Sequence, residues 1–106
     1  MMEQVVDLCS YVESQTFSKV TEIIRDHVEK AFGQSLDNDY HEAEVNEIRN
    51  WLLAFDCVKD ATPLPGILKS NPPRKVVAIA FEIDGVVIEK NLKLSLGKKL
   101  EVLYMD

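Results

Sequence analysis

Apolar positions along this chain follow a helical period first and a strand period later. In residues 3–14, Val5, Leu8, Cys9 and Val12 recur at i, i+3, i+4 and i+7, which predicts one buried face of a helix. Residues 17–32 repeat the device with Phe17, Val20, Ile23, Ile24, Val28, Ala31 and Phe32. No strong breaker separates the two segments, so a single bent helix is an open alternative. Asp37, Asn38 and Asp39 are N-cap residues for a third helix, whose apolar stripe is Val45, Ile48, Trp51, Leu52 and Phe55.

From Lys75 the period becomes two. Val77, Ile79, Phe81 and Ile83 alternate along one strand, and Asp84-Gly85 matches a type I′ hairpin turn. Val86, Ile88, Leu92, Leu94 and Leu96 share one parity of the next strand. Lys90 interrupts it, so Glu89-Lys90-Asn91 reads as a bulge or a second turn. A three-residue loop at 97–99 would set Leu96 against Leu100, Leu94 against Val102 and Leu92 against Tyr104, placing leucines opposite apolar partners. Between the two patterns, residues 60–74 hold all 4 prolines of the chain, which forbids regular helix or central strand.

The expectation is a single α+β domain over residues 1–106. Two or three N-terminal helices (3–57), a Pro-rich crossover (60–74) and an antiparallel three-stranded meander (75–105) follow in order, with the helices on one face of the sheet. A chain of 106 residues is long enough to bury a core without metal or disulfide. The opposite parity of the strands carries Val76, Ala78, Ala80, Glu82, Val87 and Leu103, with Met105 beyond. A wet sheet face normally alternates into polar residues. This face is half apolar, so it is covered, self-associating or a contact surface, or it carries scattered apolar residues of no consequence.

Charge divides along the same boundary. Residues 1–60 carry 13 Asp/Glu against 5 Lys/Arg, a net of −8, and residues 61–106 carry 5 against 7, a net of +2. The overall charge of −6 opposes binding to phosphate backbones, so no nucleic-acid partner is expected. Asp37, Asp39, Glu42, Glu44 and Glu47 line the third helix and its start. Helix-dipole complementarity explains the first two, and a solvated face explains the rest. The functional alternative is docking to a basic protein, as small acidic inhibitors and immunity proteins do. The lysines and arginine of the second half form a patch for an acidic ligand, pair with the acidic helices, or guard sheet edges.

Catalytic and metal signatures fail at their deciding positions. Asp37-x-Asp39-x-His41 begins like a calcium loop, but Glu42 replaces the sixth-position glycine and Ile48 the twelfth-position glutamate. His41-Glu42 lacks the second histidine of a zincin motif. There is no GxSxG, P-loop or GxGxxG. His27 and His41 are the only histidines, and a pocket built on either is the ligand-binding or enzymatic alternative. No cofactor is expected. Cys9 and Cys57 read as two buried thiols, or as a bridge if the first and third helices are neighbours. The opening MMEQVVD shows no basic, apolar export pattern, and no run approaches membrane-spanning length, so a cytoplasmic location and no membrane partner are expected. The leading expectation is a non-catalytic protein-binding module, inhibitor-like or regulatory, with homodimerisation through the apolar sheet face as one form.

Overall fold

The computed structural model describes residues 7–32, 42–97 and 99–106. Three helices, α1 (Leu8–Glu13), α2 (Phe17–Phe32) and α3 (Glu42–Leu53), precede four strands, β1 (Val58–Pro63), β2 (Arg74–Ile83), β3 (Val86–Leu96) and β4 (Leu100–Met105). The strands form one antiparallel sheet in the order β1-β2-β3-β4. The α+β class and the single-sided helical layer match expectation; the strand count does not.

The extra strand is β1. It falls at the start of the stretch expected to be an irregular crossover. Its position reconciles it with the prolines, because β1 is an edge strand and Pro63 is its last residue. Proline is excluded from central strands, where its missing N–H breaks a ladder bond, but is tolerated at an edge. A bulge at Lys59 separates the Val58↔Phe81 pair from the Asp60↔Ala80 pair. Residues beyond Pro63 are ordered by local bonds. Leu68 and Arg74 exchange backbone hydrogen bonds of 2.8 and 3.0 Å, and the Lys75 ammonium donates to the carbonyls of Leu64 and Gly66.

Helices α1 and α2 are separate. Thr16 N–H donates to Tyr11 O at 2.8 Å and Gln15 N–H to Val12 O at 3.0 Å, with Gln15 at φ 58°. This is a Schellman ending in which glutamine holds the left-handed position usually given to glycine. The Asp84-Gly85 turn has φ of 52° and 81°, as type I′ requires. Strand β3 then runs unbroken against β2 from Val86 to Ser95, so Lys90 marks neither a bulge nor a turn. Lys90 keeps the helix-facing parity and sets its ammonium 4.5 Å from the centre of the Phe17 ring, a cation–π contact that accounts for a charge on that face.

The β3–β4 register begins as expected, with Leu96↔Leu100 and Leu94↔Val102. It then slips, so that Leu92 opposes Met105 and not Tyr104. Leu103 is the extra residue of this bulge, and Met105 packs against the core. Arg25 on α2 satisfies the carbonyls there, donating from Nε to Val102 O at 3.3 Å and from Nη2 to Leu103 O at 2.8 Å.

One core lies between helices and sheet. Leu8, Val12, Val20, Ile24, Ile48 and Leu52 meet Val77, Ile79, Phe81, Leu92, Leu94 and Leu100, all essentially sealed from solvent. Helix α2 lies over β4, α3 over β1, and α1 packs on α2 and reaches β2. Cys9 and Cys57 are bonded, with Cα atoms 5.7 Å apart, which corrects the expectation of two free thiols. The bond joins α1 to the residue just before β1. It closes a loop of sequence separation 48, which in the chain-entropy model stabilises the fold by about 4 kcal/mol.

Candidate functional site

The sheet has two different faces. Alternate residues of β2 and β3 point at the helices, with Val77, Ile79, Phe81, Leu92 and Leu94 buried there; the others face away, and no described helix packs on them. On this open face the rows run across the strands. Thr62, Ala78 and Asn91 form one row, Asp60, Ala80 and Glu89 the next, and Glu82 and Val87 a third. Toward the other end, Val76, Lys93 and Tyr104 form a row, and the Leu64 N–H donates to Val76 O beside it. Val76, Ala78 and Ala80 are half-buried by their neighbours, while Leu64, Val87 and Tyr104 are 40%, 43% and 46% exposed. Four of the five apolar residues expected on this face, Val76, Ala78, Ala80 and Val87, are therefore together on it. The fifth, Leu103, leaves the regular alternation because it is the bulged residue, and Met105, expected beyond it on this face, is turned to the core by the same bulge. Leu64 and Tyr104 join the face in its place, and neither was expected. Tyr104 needed the bulge to change parity, and Leu64 needed β1.

The acidic helical surface is only partly within the described residues. Glu42 and Glu47 are exposed on α3 and Glu44 is half-buried. Asp37, Asp39 and His41 lie outside the described residues. Charges on α2 are largely paired within the helix, Lys19 with Glu22 at 3.6 Å and Lys30 with Asp26 at 3.1 Å.

His27 sits on the outer side of the helical layer. Its ring stacks flat on Trp51 of α3, with centroids 3.9 Å apart and planes inclined by 1°. Trp51 in turn meets Phe55 edge-on at 5.1 Å. The aromatic series Trp51–Phe55 thus belongs to the helical layer, with its outer surface covered by an imidazole. Burial against Trp51 and its neighbours lowers the His27 pKa from the usual 6.5, opposed by the Asp26 carboxylate. A groove of ≈ 910 Å³ runs past this stack, lined by Tyr11, Ile23, His27 and Trp51 with the ion-paired residues of α2 at its rim. The imidazole has one face occupied by Trp51, and among the described residues it makes no side-chain hydrogen bond to an acid or nucleophile.

Among the described residues, no group of three His, Cys, Asp or Glu side chains is placed to hold a metal ion. Among them, too, no helix is long and apolar enough to cross a membrane. Comparison with known proteins gives no match: no family model, curated protein or solved structure is significantly similar to this chain.

Proposed function

We propose that this chain is a non-catalytic protein-binding module, an inhibitor-like or regulatory protein that works through the open face of its sheet. The observation that carries this reading is the pair of unlike faces on the same strands. One face packs under the helices, and the other gathers the exposed Leu64, Val87 and Tyr104 with the half-buried Val76, Ala78 and Ala80. A contiguous patch of this kind, rimmed by polar side chains, is what contact surfaces look like. Ala78 and Ala80 give it a low floor onto which another backbone can approach closely.

The test is affinity capture from the native host with three versions of the protein. Wild type and the α3 variant Glu42→Gln/Glu44→Gln/Glu47→Gln are expected to retain the same protein, and Ala80→Lys is expected to lose it. Retention by Ala80→Lys with loss from the α3 variant would return the contact to the acidic helix.

A second reading has its own observation, the groove beside His27. A small ligand stacking on Tyr11 and Trp51 would be held there, and His27→Ala would abolish any ligand-induced rise in melting temperature.

The cytoplasmic location expected from the sequence conflicts with the Cys9–Cys57 bond. Structural disulfides persist in oxidising compartments and are rare in the cytosol. The bond favours an oxidising environment for the folded protein, and determining its redox state in protein taken from the native host decides between the two.

A further inference from the structure

The open face carries a charge that the sequence totals conceal. Residues 61–106 are net positive, yet their cations are mostly drawn away from this face or paired. Lys75 is held by the carbonyls of Leu64 and Gly66, and Lys90 lies over Phe17 on the helix side. Lys99 reaches Glu29 of α2 at 3.4 Å. Lys93 stays on the open face, where it meets Asp106 at 3.9 Å and the Tyr104 ring at 5.8 Å. Arg74 lies eight residues from Glu82 along β2, about 25 Å away at strand spacing.

What is left around Ala80 is acidic. Asp60 on β1 and Glu89 on β3 are its register partners on either side, each about 5 Å away at the usual strand separation. Glu82 is two residues further along the same strand, about 7 Å away on the same face. All three carboxylates are exposed. Asp60 accepts a hydrogen bond of 3.0 Å from Thr62 Oγ1, and among the described residues no ion pair neutralises any of the three. Val87, Ala78 and Val76 continue the apolar surface past them. Lys59, next to Asp60 in sequence, is the extra residue of the β1 bulge.

We infer that the open sheet face receives a basic, partly apolar segment of another protein, with a lysine or arginine stem over Ala78 and Ala80 and its charge among Asp60, Glu82 and Glu89. Long cationic side chains lay an apolar stem on apolar surface and keep the charged head at its edge. Charge complementarity selects this occupant over a second copy of the chain. Two copies joined through this face with their Ala80 regions in contact would bring the same three carboxylates of each together, and like charges set against one another at an interface disfavour it. This inference rests on the binding-module reading and specifies its partner.

The experiment is an NMR titration of the isotope-labelled full chain with a short, amide-capped peptide alternating lysine and valine. A peptide alternating glutamate and valine is the control. Saturable shifts are expected at residues 60, 78, 80, 82, 87 and 89 with the lysine peptide and none with the control. The variant Asp60→Asn/Glu82→Gln/Glu89→Gln should weaken binding about tenfold, and Glu42→Gln/Glu44→Gln/Glu47→Gln by less than about twofold. Raising salt from about 50 to about 300 mM should weaken it comparably, because the carboxylates are exposed. The spectra report at once whether each variant is folded. Shifts confined to α3, shifts caused equally by both peptides, or no saturable shift on the sheet overturn the inference. The capture experiment with Ala80→Lys is independent of the peptide, so a sheet-face contact that survives there while the titration fails would reject the basic partner and keep the binding module.

Discussion

The two faces of the sheet are made from the same strands, turn by turn, yet they answer to different physics. On the helix side, Val77, Ile79 and Phe81 face Leu92, Lys90 and Ile88 across the β2–β3 pair and pack under the apolar stripes of the helices, and all three are sealed from solvent. On the far side, Ala78, Ala80 and Glu82 sit one residue away in sequence and face water. The first face has partners within the chain for the apolar side chains at its centre. The second has an apolar strip, an acidic frame and no covering element among the described residues. The contrast separates residues that hold the fold from residues free to make contacts, and single substitutions can test it.

The largest effect belongs to Phe81. It is fully buried, with its ring 5.7 Å from that of Phe17. Phe81→Ala should cost about 3–5 kcal/mol in urea unfolding, through lost burial plus the cavity left behind. Its neighbour substitution Ala80→Ser should change stability by less than about 0.5 kcal/mol. If the two changes cost the same, the open face is covered by something in the folded chain and the comparison fails. Removal of the disulfide comes next. Cys9→Ala/Cys57→Ala should lower stability by about 2–4 kcal/mol, read as a lower denaturation midpoint, and a reductant should have no further effect on that variant.

The smallest effect is at His27. Its folded-state pKa lies below 6.5 because burial disfavours the imidazolium. The unfolded chain therefore takes up a proton more readily in that window. The His27 contribution to stability is complete above pH 6.5 and declines as the pH falls through the folded-state value. An NMR titration of the His27 ring should give a midpoint under 6.5, and His27→Gln should flatten this part of the stability profile. A midpoint above 6.5 would mean that cation–π attraction to Trp51 outweighs desolvation.

Much of this architecture could be read before the structure. Period-two alternation located β2 and β3, Asp84-Gly85 fixed the turn between them, and the leucines set the start of the β3–β4 register. What escaped had no local signal. Strand β1 is VKDATP, with only Val58 and Ala61 buried across a bulge, and it is a strand because β2 offers an edge to pair with. The helix break depends on Gln15 in a conformation that glycine usually announces. The bulge at Leu103 inserts one residue and reverses the parity of all that follows. Two cysteines 48 residues apart give no distance. The contact face was half visible: parity placed Ala78, Ala80, Glu82 and Val87, and would have placed Glu89 beside them. The total charge of the C-terminal half hid the carboxylates, and Asp60 joined them only through β1.

The most direct test of the central claim is the absolute mass in solution, by light scattering after size exclusion at low and high salt. A face held open for a different, basic protein predicts a monomer of 12.0 kDa under both conditions. A dimer that persists at high salt and dissociates on Ala80→Lys would contradict it, and would assign the same face to a second copy of this chain.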